Sequence, residues 1–187
     1  MPTPVGHLLA GAILFKSQQV NVSFLMFLFI LFFALLPDFD FVFGFFVGDP
    51  NRYHHLFTHS IVFVAIAGTV GGIIFAKWCN ENIIFSSAIF VSAGISHVIL
   101  DCLAVDKSEP FGCPLAWPFS QKFVIFPAPL FSDVIRSSDS SSFFQSLFNL
   151  HNLKAVFVEI IVLAPVLFMV WILRRKFIAG KAAISKM

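Results

Sequence analysis

The sequence predicts an all-α, polytopic membrane bundle of about four transmembrane helices plus a short N-terminal helix. Three observations carry this. Apolar residues make up 58% of the 187 and charged residues only 12%, about half of the roughly 25% usual in soluble domains. The mean hydropathy is +0.91. Four apolar runs approach the roughly 20 residues a helix needs to cross a bilayer core about 30 Å thick. The length suits one integral membrane domain spanning residues 1–187. A net charge of +2 gives no reason to expect nucleic acid as a partner. The 27 phenylalanines suit a lipid-facing surface and carry no functional weight.

The first apolar run, 5–16, crosses about half the core at ~1.5 Å per residue. No cleavable signal peptide is expected there, because "MPTPVGHLLAGAILF" lacks a basic start and His7 interrupts it. The long runs follow at 22–41, 60–76, 83–105 and 155–173. Gly6, Ala10 and Gly11 in the first run, and Gly68-x-x-x-Gly72 in the third, allow close helix approach in lipid. A loop spans 106–154, marked by Pro110, Pro114, Pro118, Pro127 and Pro129 and by "SSDSSS" at 137–142. Within it "FFQSLFNLHNL", 143–153, suits an interfacial amphipathic stretch. The chain closes with the last span and a basic tail, 155–187. No internal repeat is evident.

Orientation follows from the basic residues. If the runs alternate in direction, one face carries Lys16, Lys77, Arg174, Arg175, Lys176, Lys181 and Lys186. The other carries Arg52, Lys107, Lys122, Arg136 and Lys154, mostly in the long loop. The positive-inside rule assigns the first face to the cytoplasm, so the C-terminal tail is expected there.

On this topology the unusual polar residues meet at the outer face. His7 opens the short helix, and Asp38 and Asp40 close the first long one. His54, His55 and His59 in "RYHHLFTHS" precede the next, and His97 and Asp101 lie near the outer end of the third. A carboxylate inside a membrane segment costs about 2.5–3.5 kcal/mol on insertion scales, so something must compensate it. Mixed His and Asp donors suit Zn²⁺ or another first-row divalent ion such as Mn²⁺. His97 and Asp101 are four apart, so one helix face presents both. His55 and His59 share that spacing if their helix starts early. The Asp-x-Asp pair after Pro37 suits a turning segment whose carboxylates serve different ions, or one ion and one supporting role.

Singly, each residue has a plainer reading. His7 reads as a helix cap, "PDFD" as a helix terminator and His97 with Asp101 as a buried hydrogen-bonded pair. Only one of His54 and His55 is expected as a ligand. Trp117 in "PLAWPFS" reads as an interface anchor. Glu159 is an intramembrane acid with no motif around it. Cys79, Cys102 and Cys113 lack C-x-x-C spacing, so a thiolate zinc site is not expected. Cys102 and Cys113 share the outer face, where a disulfide is chemically allowed.

"GHLLAG", "LLPDFD", H-x-x-x-T-H-S, "SHVILD" and "WPFS", in this order from about residue 3 to 120, resemble the YdjM-like family of inner-membrane proteins regarded as metal-dependent hydrolases. The third motif there usually reads H-R-G-x-T-H-S. Here His55 stands in place of the arginine and Leu56 in place of the glycine, leaving His54 and His59 as the motif histidines. The absent arginine is a natural phosphate clamp, and Arg52 is its nearest substitute. The resemblance implies a site of His7, Asp38, Asp40, His54, His59, His97 and Asp101. Seven donors exceed one tetrahedral ion, which implies two metals per chain. A weaker similarity joins the single His-x-x-x-Asp to zinc-dependent phospholipases C and related nucleases.

The expected activity is therefore metal-dependent hydrolysis of a phosphoester in a membrane lipid or lipid-linked substrate. Asp38 or Asp40 would take the proton from the attacking water, and Arg52, His55 and Trp117 would contact substrate. The expected location is the inner membrane, multi-pass, with the site on the periplasmic side. Two alternatives stay open: a metal or proton transporter, and a member that keeps the metal without turnover. The sequence lacks H-E-x-x-H, G-x-S-x-G and a P-loop, which excludes those chemistries.

Overall fold

Long apolar runs fold as helices here because a backbone in lipid must satisfy its own hydrogen bonds. The computed structural model describes residues 1–18, 22–107 and 109–184, with side chains to 178. In order these form α1 (Pro4–Ser17), α2 (Phe24–Leu35), a 3-10 turn (Leu36–Phe39) and α3 (Asp40–Phe46). Two further 3-10 turns, Pro50–Tyr53 and Phe57–His59, lead to α4 (Ile61–Cys79) and α5 (Ile83–Cys102). After the proline-rich loop come α6 (Phe143–Leu147) and α7 (Leu150–Ile184). Among the described residues four segments are long and apolar enough to span: Phe24–Phe46, Ile61–Cys79, Ile83–Cys102 and Leu150–Ile178. The all-α polytopic bundle expected from composition is the fold observed. Lys186 of the basic tail lies outside the described residues.

Two boundaries differ from the sequence expectation, each for a local reason. The first span runs on past residue 41, because Pro37 redirects the chain through one 3-10 turn and α3 then resumes. The interfacial stretch 143–153 divides into α6 and the first turn of α7. Asn149 Oδ1 accepts from the Asn152 N–H at 2.8 Å, the geometry of an N-cap. The last helix therefore starts at Leu150 rather than 155.

α4 and α5 pack as an antiparallel hairpin, turning at Asn80, which has φ +55°. Their backbones touch through glycines. A Cβ at Gly68 would lie 2.6 Å from Val91 N, and one at Gly72 would overlap the Ser87 backbone. The small-xxx-small spacing is thus a real contact. α2 lies on this hairpin through a core of Met26, Ile30, Phe33, Ala34, Phe75, Ile89, Phe90 and Ala93. α1 packs against α2, α5 and α7.

The orphan acid in α7 is explained by α1. Glu159 accepts from Thr3 N at 2.5 Å and from Thr3 Oγ1 at 2.6 Å, and Thr3 is the N-cap of α1. A carboxylate at a helix N-terminus also meets the positive end of its dipole. This contact fixes the start of α1, and His7 follows one turn later.

Candidate metal centre

The polar residues meet at the end of the bundle where α2 and α5 finish and α1 and α4 begin. Local backbone explains how each arrives. Pro37 sits early in the 3-10 turn, so the chain tightens there and carries Asp38 and Asp40 into the bundle. α2 stops at Leu35, leaving the Ala34 carbonyl among the last four with no partner inside the helix. His97 Nδ1 lies 2.7 Å from that oxygen. The N–H therefore sits on Nδ1, and Nε2 carries the free lone pair.

Four donor atoms then converge. His97 Nε2 is 3.0 Å from Asp101 Oδ2 and 3.6 Å from Asp38 Oδ1. His59 Nε2 is 3.4 Å from Asp101 Oδ2 and 3.6 Å from Asp38 Oδ1. The two Nε2 atoms are 3.3 Å apart. Ligands at about 2.0–2.2 Å from a tetrahedral zinc are separated by roughly 3.3–3.6 Å. Five of the tetrahedron's six edges lie at or near that length. His7 flanks the set, with Nε2 3.6 Å from Asp101 Oδ1 and its ring stacked on His97 at 3.8 Å.

Several atoms of this cluster lack ordinary partners. Both His7 nitrogens, Asp38 Oδ1 and both Asp101 oxygens are buried with no hydrogen bond. Buried polar atoms are nearly always satisfied, so this concentration fits a site built to hold a cation. Mixed imidazole and carboxylate donors at these separations fit one divalent ion, and the buried His and Asp groups are able to hold it.

Asp40 has a different position. Its Oδ1 lies 3.0 Å from His54 Nδ1, and its Oδ2 accepts from Thr58 Oγ1 at 2.9 Å. Oδ2 is also 3.3 Å from His59 Nδ1. A carboxylate behind the far nitrogen of a ligating histidine fixes its ring and tautomer. His54 stacks on Phe41 at 4.2 Å, and its Nε2 faces Met1 Sδ. Burial, then the neighbouring His55 and Arg136, hold the His54 pKa well below its ordinary value. For His59, burial acts downward but the Asp38 and Asp40 carboxylates prevail, raising it to about 10. Without a cation, this cluster keeps a proton in its place.

His55 and His59 do not form the helical i, i+4 pair expected of an early-starting helix. α4 begins only at Ile61, and His55 adopts φ +61°. That turn points His55 Nδ1 to Asp106 Oδ2 at 3.2 Å, and Gly112 N donates to the same oxygen at 2.8 Å. Leu56, where the resembled motif carries glycine, has φ −89°, so its side chain is no obstacle. His55, Asp101 and Cys113 also offer donors close to one another, a thiol neighbourhood the C-x-x-C rule did not anticipate. Cys102 and Cys113 are free thiols.

Arg52 and Trp117 stand apart from the cluster. Arg52 is exposed with its guanidinium 5.8 Å from the Tyr53 ring, and Trp117 packs on Phe57 at 5.6 Å. The sequence reading missed Arg136. Its Nε donates to Asn51 Oδ1 at 2.7 Å, and it lies over the Phe41 ring at 5.1 Å. A lone arginine ending the apolar "FPAPLFSDVIR" was the available signal. Thr58, the threonine of H-x-x-x-T-H-S, and Asp106 orient the histidines, and Asp106 alone carries no such mark.

The protein side of the site is nearly sealed. The side chains of His7, His59, His97 and Asp101 are 0% exposed and Asp40 2%, but Asp38 reaches 13%. Asp38 lines a cavity of about 280 Å³ together with Met1, Phe41, Phe45, Arg136 and Phe143. Asp38 is the least buried of these donors and the one that borders this cavity.

Comparison with curated proteins and with solved structures yields no match. The family model described as YdjM inner membrane protein matches residues 1–178, well beyond the motif region and through the last span. The chain belongs to the YdjM inner membrane protein family.

Proposed function

We propose that this protein is a membrane-bound, metal-dependent hydrolase acting on a phosphoester of a lipid or lipid-linked substrate. One observation carries the reading: four converging donors, Asp38, His59, His97 and Asp101, with five of their six separations at or near those of a tetrahedral site and with the carboxylate oxygens Asp38 Oδ1 and Asp101 Oδ1 and Oδ2 lacking a hydrogen bond. Two imidazoles and two carboxylates favour Zn²⁺, with Mn²⁺ as the second choice. When bound, such an ion lowers the pKa of its water to about 7 and polarises the phosphoryl oxygen.

The surrounding residues have distinct work. Asp38 contributes Oδ1 to the donor set and borders the cavity, so its other oxygen accepts the proton released by the attacking water. Asp40 holds His54 and His59 in orientation. His7 completes the set as a fifth donor, which suits coordination that expands during reaction. Seven donors suggested two ions, but the Asp40–His54 pair favours one, because a second ion would have to break it. The basic tail supports a site on the periplasmic face of the inner membrane with the C-terminus in the cytoplasm.

The test is metal content of the detergent-purified protein, by elemental mass spectrometry, for the wild type and for His97→Ala with Asp101→Ala. One zinc per chain, lost in the double variant, supports the centre. Release of phosphate from phosphatidic acid in mixed micelles then tests hydrolysis. Retained metal with no phosphoester cleaved would favour the non-catalytic alternative. No metal after reconstitution with excess zinc would sink the mechanism.

A further inference from the structure

We propose that the cavity over Asp38 and the groove continuing from it form a lateral binding site for an anionic lipid. Arg136 holds the headgroup phosphate, and the groove holds an acyl chain. This rests on the lipid-phosphoester reading for its purpose, but lipid binding itself requires no turnover.

The first argument is charge. Arg136 projects from the long loop into a cavity walled otherwise by Met1, Phe41, Phe45, Val134, Phe143 and Leu147, with Asp38 at its base. Its two hydrogen bonds go to Asn51 Oδ1 and Met1 Sδ, both neutral. Among the described residues no carboxylate lies within ion-pair distance of it. Asp38, Asp101, Asp106 and Asp40 act on it only from beyond that distance, so a guanidinium on apolar walls lacks a contact anion, and its planar fork matches a phosphate. Its place beside the one exposed ligand puts a bound phosphate next to the donor set.

The second argument is continuity. Thr3, Pro4, Val134 and Leu147 line this cavity and also a larger one of about 640 Å³. The larger runs between the start of α1, α6 and the first turns of α7, reaching Val156. Its volume lies within the roughly 300–1,000 Å³ of ligand sites. Its polar members are already engaged: Asn152 bonds Ile135 and Leu147, and Asn149 bonds Ser146. What remains is apolar. At its rim Phe148, Leu150 and Leu153 are exposed on the helix that spans the bilayer. A groove that is charged at the metal end and greasy at the lipid end matches an amphiphile with an anionic head.

The experiment is native mass spectrometry of the metal-free full chain, titrated with phosphatidic acid and with phosphatidylcholine of the same acyl chains. Phosphatidic acid should bind about tenfold tighter, the worth of one charge-assisted contact. Arg136→Gln should remove that preference, and Arg136→Lys should keep part of it, both with the wild-type melting temperature. Val134→Trp should weaken both lipids, and inorganic phosphate should compete poorly. An unchanged preference in Arg136→Gln would overturn the proposal. So would inorganic phosphate competing as well as the lipid, since the site would then read free phosphate. Because metal is absent throughout, an inactive enzyme would leave a positive result standing. No preference in the wild-type chain, with one metal per chain still found in the separate metal measurement, would remove the lipid site alone.

Discussion

Asp40→Asn separates an orienting carboxylate from a ligand. Asp40 serves three neighbours: His54 Nδ1 at 3.0 Å, Thr58 Oγ1 at 2.9 Å and His59 Nδ1 at 3.3 Å. An asparagine of the same size keeps its carbonyl oxygen toward Thr58 and His59 and turns its amide to His54, whose tautomer then reverses. The His59 contact survives but loses its charge. Charged hydrogen bonds are worth about 1.5–3 kcal/mol and neutral ones about 0.5–1.5, so the loss is near 1–1.5 kcal/mol. That is about a tenfold weaker metal affinity, at the lower end of the 10–100-fold typical of such supporting residues. Competition with a chromophoric chelator measures affinity, and elemental mass spectrometry counts ions. The expected result is an unchanged count with a tenfold weaker Kd, against near-complete loss for Asp101→Asn. A whole ion lost with Asp40 would make it a ligand and restore the two-ion site. An unchanged Kd would remove Asp40 from the site altogether.

Further outcomes follow from the same contacts. Glu159→Gln replaces the charged acceptor of Thr3 N and Oγ1. It should cost about 1–3 kcal/mol, read as a lower midpoint of thermal unfolding in detergent. Gly72→Val drives a side chain into the Ser87 backbone and should cost about 2 kcal/mol or more by overpacking, with loss of bound metal as the bundle opens. His59 is raised from 6.5 to about 10 in the fold. Its contribution to metal-free stability is therefore complete below pH 6.5 and lost as pH rises through about 10. Metal affinity should move the opposite way, strengthening up to about tenfold per pH unit between those limits as a proton is displaced. Melting and chelator competition at pH 6.5 and 8.5 test both signs.

The helices were legible because lipid leaves the backbone one solution and the apolar runs mark where it is used. The convergence of Asp38, Asp40, His59, His97 and Asp101 was legible as well, because alternating spans assign each to one end. The division of labour was not. Which nitrogen of His97 faces inward depends on the Ala34 carbonyl, 63 residues away, and only α2 ending at Leu35 sets that oxygen free. Asp38 and Asp40 look equivalent in "PDFD", and a single 3-10 turn gives one the donor set and the other the histidines. Arg52 was the conspicuous arginine because it adjoins the histidines. Arg136 reached the cavity instead, through a loop whose path no periodicity encodes.

The depth of the site bears on whether it moves ions or works on lipids. A carrier needs a route from its binding site to each face in turn, usually lined by broken helices near the midplane. Below these donors lie Met26, Ile30, Phe33, Phe75 and Phe90, each at most 6% exposed and packed into one core. Phe33 and Phe90 stack at 4.6 Å, and Phe29 and Phe75 close around them. The Gly68 and Gly72 contacts lock α4 against α5 backbone to backbone beside that plug, and Gly94 seats the Val64 side chain. Opening a path would separate the most tightly approached helices in the molecule. Asp38, by contrast, already borders a cavity at the edge of the bundle. A donor set sealed from one side and bordered on the other by a greasy groove suits chemistry on a molecule that already lives in the membrane.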